Sequence, residues 1–364
     1  MSKNKISFII GTLGAGGAER VVTTLSNELV ENYDVHIILL TKCEPFYKLN
    51  TRVKLYFCRE AYKPSNNIFQ ALKGNYSLYK TISGYLKKEK INLAIGFMTG
   101  ANNLAILASR KNNIPCIISQ RIYSKKSSTK LSNRVIRNFL YRKASFLVVQ
   151  TTEIKAEFES ILESNKIVIL KNPISPELSE ARDVEFKKEN IILNIGRLSS
   201  QKAQDVLIRA FANIENENWK LIIIGKGEKQ KNYEALIDEL NLKKKVELMG
   251  RSKDIAHYYN KSKIFAFTSI FEGFPNALTE AMHFGLPCIS TDCPTGPSKL
   301  INNNHNGYLI PMGDQKQLEH CLSSLIQNKN LRDKFGSNAR KSVQSYKADA
   351  VTLEWIGLFE KLLN

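Results

Sequence analysis

The stretch FTSIFEGFPNALTEAMHFG, from Phe267 to Gly285, joins an apolar run to a loop and then to a helical pattern. Ile264 to Phe267 reads as a buried strand. Glu272 lies in the following loop with Gly273 and Pro275, and Asn276 to Phe284 has the composition of a short helix closed by Gly285. Asn276 and Glu280 are four residues apart, so they share a helix face beside an N-terminus that offers backbone N–H groups and a positive dipole end. Seven residues separate Glu272 from Glu280. The combination suits a ligand carrying hydroxyls next to phosphates, because carboxylate oxygens bind a diol while N–H groups take the phosphate. Two solvated glutamates at a loop-to-helix junction are the plain alternative. A second cluster 70 residues upstream weighs against it.

That cluster is GRLSSQK, Gly196 to Lys202, which follows a strand at Ile191 to Ile195. A guanidinium at Arg197 and an ammonium at Lys202 can hold two phosphates of a diphosphate. Around both clusters the chain repeats one rhythm. A helix from about Ala203 to Ile214 precedes a strand at Lys220 to Ile224 ending in GKG. A helix from about Lys231 to Leu240 then precedes a strand at Val246 to Met249 ending at Gly250-Arg251. Pro287 to Ser290 is a further strand. Alternating apolar runs and helical segments imply a parallel sheet covered on both faces.

The first half shows the same alternation. Strands are expected at Ile6–Ile10, Val35–Leu40, Val53–Phe57, Leu93–Phe97, Pro115–Ser119 and Phe146–Val149, with a helix from Ala18 to Leu29 after the glycines at 11, 14, 16 and 17. The prolines of LKNPISP, Leu170 to Pro176, mark a junction. Two doubly wound domains result, residues 1–172 and 173–347, with a last helix at about 348–364 that returns to the first. Ligands of open parallel sheets bind beyond the carboxyl ends of the strands, which places the glycine loop and both charged clusters around one cleft.

Composition sets limits. Apolar content of 43% and charged content of 24% are globular values. The formal net charge of +19 is one-sided, since 28 of the 53 Lys and Arg but only 13 of the 34 Asp and Glu precede residue 183. Such an excess suits nucleic acid or acidic lipid head groups, or simply a solubilising surface. The segments Lys63–Lys90 and Arg121–Lys143 interleave Lys and Arg with Phe69, Tyr76, Tyr79, Tyr85, Tyr123, Phe139 and Tyr141. They are either membrane-interface helices, with Lys125, Lys126 and Arg142 among the contacts, or surface helices whose aromatics face the core. The six cysteines form no CxxC pair and read as core residues of a reducing compartment, so no metal site is implied. No secretory signal or membrane span is expected, and the chain is placed in the cytoplasm. The glycine loop GTLGAGG matches neither a Walker site nor GxGxxG, which argues against NAD.

Taken in order, GAGGAE at 14–19, GRLSSQK at 196–202, GKGE at 225–228, MGR at 249–251 and FEGFPNALTEAMHFGLPCIST at 271–291 resemble the motif set of the retaining glycosyltransferases of family four. CPTGP at 293–297 is similar, more narrowly, to enzymes that extend polyprenyl-diphosphate-linked glycans of surface polysaccharides or glycoproteins.

The resemblance implies the GT-B fold, two Rossmann-like domains facing across a cleft, and transfer of a hexose or N-acetylhexosamine from a UDP-sugar. Arg197 and Lys202 would hold the donor diphosphate, Glu280 the ribose, and Glu272 the sugar together with the chain at Gly273, Phe274, Pro275, Asn276 and Ala277. Arg251 would lie near the base, and Gly16 and Gly17 would admit the phosphates. Catalysis would rest on Glu272, Arg197 and Lys202. No DxD occurs, so neither a metal nor another cofactor is expected. Many relatives carry a carboxylate followed by His or Arg where this chain has Gln120-Arg121, leaving Arg121 as an acceptor-side candidate, and Lys299 replaces a common acidic residue. His283 and His305 are expected to be structural. The partners implied are the UDP-sugar, a lipid-diphosphate-linked glycan and an anionic membrane surface at the inner face of the cell membrane, without nucleic acid. A glycosidase using Glu272 and Glu280, or a basic nucleic-acid-binding protein, are the competing readings.

Overall fold

Continuous apolar runs such as Ile6 to Ile10 and Ile264 to Phe267 bury both faces of a strand, and only a sheet covered on both sides satisfies them. The computed structural model describes residues 3–122, 131–215 and 217–363. Lys125, Lys126 and Tyr123 of the second basic segment lie outside the described residues. The chain divides into two units, Met1–Pro173 with Ala348–Asn364, and Ile174–Lys347.

The first unit holds β1 (Lys5–Ile10), β2 (Asp34–Leu39), β3 (Lys54–Phe57), β4 (Leu93–Phe97), β5 (Cys116–Ser119), β6 (Phe146–Val149) and β7 (Ile167–Ile169). The order across the sheet is β3-β2-β1-β4-β5-β6-β7, every pair parallel. The side-chain period of two sends Ile6, Phe8 and Ile10 into one core and Ile9 into the other. The last helix, Ala348–Leu363, closes the first of these cores. Its Trp355 stacks on Phe97 at 6.0 Å and its Phe359 meets Tyr33 edge-on at 5.6 Å.

The second unit holds β8 (Ile191–Ile195), β9 (Lys220–Ile224), β10 (Val246–Gly250), β11 (Ile264–Phe267), β12 (Cys288–Thr291) and β13 (Gly307–Ile310). They pair in parallel in the order β10-β9-β8-β11-β12-β13. In each sheet the winding reverses beside the first strand, between β1 and β4 and between β8 and β11. Open parallel sheets bind their ligands at such a reversal, beyond the carboxyl ends of the strands.

The basic segments contain the helices Ile68–Lys88 and Leu131–Tyr141. Their aromatics split between the two expected roles. Phe69, Tyr76 and Phe139 are exposed, Tyr79 and Tyr85 are half-buried, and Tyr141 is wholly buried. On the first helix Ile68, Phe69, Leu72 and Tyr76 form an exposed apolar stripe at helical spacing, and Val135, Ile136 and Phe139 are exposed on the second. The first residue of the segment Arg121–Lys143 stands apart from that helix. Arg121 lies two residues past the end of β5 and is buried at the sheet's carboxyl edge.

Candidate active site

The loops that leave β8, β9 and β11 are bonded to one another. Ile270 N–H donates to Gln201 O at 2.9 Å, Gln201 Nε2 to Phe271 O at 2.8 Å, and Thr268 Oγ1 to Lys202 O at 2.8 Å. Lys229 N–H donates to Leu198 O at 3.0 Å, tying the loop after β8 to the loop after β9. That second contact needs glycine. A Cβ on Gly225, at φ +156°, would stand 1.8 Å from Gly196 O, and one on Gly227 would stand 2.1 Å from Leu198 O. GKGE therefore serves the site by letting two loops touch, a role its resemblance to a motif did not reveal.

This packing sets Lys202 Nζ 2.5 Å from Glu272 Oε1, with the two side chains only 18% and 8% exposed. The ammonium also lies 4.9 Å from the centre of the Phe267 ring. The two groups expected to hold phosphate and sugar thus form one largely desolvated ion pair. Glu280 is buried too and accepts a hydrogen bond from Tyr259 Oη at 3.0 Å. Neither glutamate is a solvated surface residue. Arg197 and Arg251 are exposed, and among the described residues neither side chain forms an ion pair. Gln204 Nε2 donates to Arg197 O at 3.0 Å and fixes the backbone beneath its side chain.

The chain at 273–277 enters the helix Asn276–His283 through Pro275. Among the described residues the N–H groups of Gly273, Phe274 and Ala277 make no hydrogen bond within the protein. Phe274 offers its backbone alone, because its ring stacks on Tyr346 at 5.7 Å in the core. The loop 293–297 clamps this turn from behind. Thr295 Oγ1 donates to Glu272 O, Glu272 N–H reaches Pro294 O at 3.5 Å, and a Cβ on Gly296, at φ +110°, would stand 2.3 Å from Pro275 Cδ. CPTGP is thus a support for Glu272, which its sequence alone does not disclose. Lys299 is exposed.

In the first unit Gly16 precedes the helix Gly17–Leu29, whose first turn carries Glu19. The three atoms nearest to a Cβ on Gly16 would all belong to the end of the Glu19 side chain, which is flexible. Arg121 lies over the Phe97 ring at 4.6 Å and donates from Nη1 to Asn172 Oδ1. Its Nε and Nη2 are buried without partners, and burial pulls its pKa down to about 9. It remains a cation at neutral pH.

His283 is buried, with both ring nitrogens unpartnered. Burial, reinforced by Arg182, Lys347 and Arg340, pulls its pKa down to about 4. A neutral imidazole packed at the far end of the helix from Asn276 does not serve this site as a base. All six cysteines are free thiols.

Over 99% of its length and 99% of theirs, this chain is 30% identical to a Campylobacter jejuni protein, GalNAc-alpha-(1->4)-GalNAc-alpha-(1->3)-diNAcBac-PP-undecaprenol alpha-1,4-N-acetyl-D-galactosaminyltransferase. Residues 15–178 match the Glycosyltransferase Family 4 profile and residues 177–342 that of glycosyl transferases group 1. The chain is a glycosyltransferase of family four. Another relative of the glycosyltransferase is the Escherichia coli UDP-Gal:alpha-D-GlcNAc-diphosphoundecaprenol alpha-1,3-galactosyltransferase, 26% identical over 95% of this chain and 96% of that one. Among solved structures, HepE of Anabaena in complex with UDP superposes with a TM-score of 0.78 at 18% identity, covering 98% of this chain and 100% of that one. Staphylococcus aureus TarM superposes with a TM-score of 0.80 at 16% identity, covering 98% and 99%. The two-domain α/β fold of the glycosyltransferase is GT-B.

Proposed function

We propose that the glycosyltransferase moves a hexose or N-acetylhexosamine from a UDP-sugar to a polyprenyl-diphosphate-linked glycan, with retention at the anomeric carbon, during assembly of a surface polysaccharide or glycoprotein glycan. The observation that carries this reading is the Lys202–Glu272 pair, 2.5 Å apart at the carboxyl ends of two adjacent strands, with Arg197 on the same loop as Lys202. The undecaprenol-diphosphate substrates in the relatives' names support the acceptor class, and the UDP-Gal in one of them the donor class.

In this reading the acceptor hydroxyl attacks the anomeric carbon, the bond from that carbon to the donor phosphate oxygen breaks, and the acceptor proton passes to a phosphate oxygen on the same face. Negative charge grows on the leaving diphosphate. Arg197, Lys202 and the N–H groups of Gly273, Phe274 and Ala277 meet the charge where it develops, so they stabilise the transition state more than the ground state. Glu272 holds sugar hydroxyls, Glu280 braced by Tyr259 holds the ribose, and Arg251 lies by the base. Gly16 and Gly17 admit the phosphates, and Arg121 serves the acceptor side. Side-chain cations supply the charge compensation, so the reaction runs without a metal or other cofactor.

We place the enzyme at the inner face of the cell membrane as a peripheral protein. Among the described residues no helix is long and apolar enough to cross a membrane. The exposed stripe at Ile68, Phe69, Leu72 and Tyr76, with Lys80 over the Tyr76 ring at 5.1 Å, has the amphipathic basic character of an interfacial helix. Reversing charge at Lys125, Lys126 and Arg142 is expected to weaken binding to anionic liposomes while sparing hydrolysis of free donor.

The test of the transfer is a donor screen, reading UDP release across UDP-GalNAc, UDP-GlcNAc, UDP-Gal and UDP-Glc with a lipid-diphosphate-linked acceptor. Acceptor-dependent release from one of these is expected. Release from none, or cleavage of an oligosaccharide without nucleotide, would return the glycosidase reading.

A further inference from the structure

A cavity of 410 Å³ opens in the second unit at the end of the sheet opposite to the donor loops. Its walls come from Arg182 and Lys188 ahead of β8, from Phe284-Gly285 ahead of β12, and from Arg340 and Lys341 on the helix Lys329–Ser342. A neighbouring cavity of 350 Å³ shares Lys188 and Gly285 and adds Lys263 and Arg332. Both volumes fall within the roughly 300–1,000 Å³ typical of small-ligand sites. Two glycines shape the floor. Gly285 has φ +74°, and a Cβ on Gly336 would stand 2.2 Å from Gly285 O, so the helix lies directly on the chain there.

The charge in the first cavity is unbalanced. Four cations face it, and among the described residues Asp183 is the one acid lining it, its Oδ1 accepting from Glu185 N–H at 2.9 Å. Among the described residues Arg182, Lys188, Arg340 and Lys341 form no ion pair. Arg182 Nε is buried with no hydrogen-bond partner. Lys188 donates from its ammonium to Ser262 O at 3.0 Å, and burial, with Arg182 and Lys263 outweighing the opposing Asp333, brings its pKa down to about 8. Like charges held together in a concave, part-desolvated wall are stabilised by an anion that bridges them, and two guanidinium forks with two ammoniums match phosphate oxygens. The donor site accounts for none of these residues, because its loops leave the carboxyl ends of β8 and β11.

We propose that this cavity is a second anion site of the enzyme, binding a phosphate or diphosphate group through Arg182, Lys188, Arg340 and Lys341 independently of the donor. The group comes either from a free phosphorylated metabolite or from a lipid head group.

The test titrates inorganic pyrophosphate into the full-length protein by calorimetry with UDP saturating, comparing wild type with Arg340→Gln/Lys341→Gln. Both replaced side chains are exposed, so the fold is retained, and equal UDP affinity in the two proteins checks this. One equivalent of pyrophosphate is expected to bind wild type, with affinity at least tenfold weaker in the double variant. Phosphatidylglycerol vesicles form the second arm, and retention of wild type but not of the variant assigns the phosphate to a head group. The proposal is overturned if both arms give the same result for the two proteins. Because the donor cations are identical in both, a failure of UDP to bind would count against the donor assignment and leave this comparison intact.

Discussion

Replacing Lys202 by Met keeps the stem that runs along Gly196, where an added Cβ would stand 3.3 Å from Lys202 Cδ, and removes only the charge. Two effects follow. A hydrogen bond to a charged group contributes about 1.5–3 kcal/mol, so UDP binding is expected to weaken roughly 10- to 150-fold. The Glu272 carboxylate, 8% exposed, then loses its cation. Breaking a fully buried pair costs about 3–5 kcal/mol, and the partial exposure of Lys202 reduces this to on the order of 2 kcal/mol. At about 2–4 °C per kcal/mol for a unit of this size, the melting temperature falls by roughly 4–8 °C. Glu272→Gln separates the roles. It frees the ammonium for phosphate, so UDP affinity holds or rises, while kcat with the UDP-sugar falls. The double variant Lys202→Met/Glu272→Gln carries no unpaired carboxylate and is expected to melt above Lys202→Met alone, a coupling of about 0.5–3 kcal/mol. Calorimetry with UDP and thermal melts of all four proteins complete the cycle. UDP affinity in Lys202→Met within twofold of wild type would refute the phosphate role, and strictly additive melting temperatures would refute the pair.

Gly227→Ala drives a methyl into Leu198 O, 2.1 Å away, and is expected to lower both the melting temperature and UDP affinity, whereas Gly100→Ala, in a helix with nothing within 4 Å, leaves UDP affinity unchanged and does not lower the melting temperature. His283 has a folded-state pKa of about 4 against an ordinary value of 6.5, so the unfolded chain gains a proton first and stability is lost as pH falls from about 6.5 towards 4. His283→Gln should flatten that part of a melting-temperature profile, and a profile matching wild type would remove the assignment. Transfer activity is expected to survive EDTA, and loss restored by a divalent cation would show that Arg197 and Lys202 do not suffice.

The two sheets were legible because their strands are buried on both faces and therefore print continuous apolar runs, from Ile6–Ile10 to Ile264–Phe267. Two strands left no such print. Ile167–Ile169 is three residues long, and Gly307–Ile310 begins at a glycine behind an Asn-rich turn. The helix Lys329–Ser342 buries only Phe335, Gly336 and Ala339, too few positions to reveal its period. In the site, Lys202 and Glu272 were legible as charges past strand ends and Glu280 as a charge on the following helix, but their partners were not. Tyr259 comes from the helix Ile255–Lys261, and Thr295 from a loop whose contribution depends on its fold. The burial of Arg121 was not legible, because its neighbours are basic. Its position just past the end of β5 decides its burial, and charge counting carries no such information.

Every charged group of the proposed donor set, Arg197, Lys202, Arg251, Glu272 and Glu280, stands in the second unit, on loops or a helix that follow β8, β10 and β11. Stabilising a leaving diphosphate electrostatically requires that these groups be fixed before the charge develops, since reorienting them during the reaction would return much of the gain. The hydrogen bonds from Gln201, Thr268 and Thr295, and the glycines at 225, 227 and 296, provide that fixation by locking four loops into one body. It follows that residues outside the charged set govern the Lys202–Glu272 geometry. Substitutions at the three glycines should therefore lower kcat as well as stability, because they move the pair rather than merely loosening the fold.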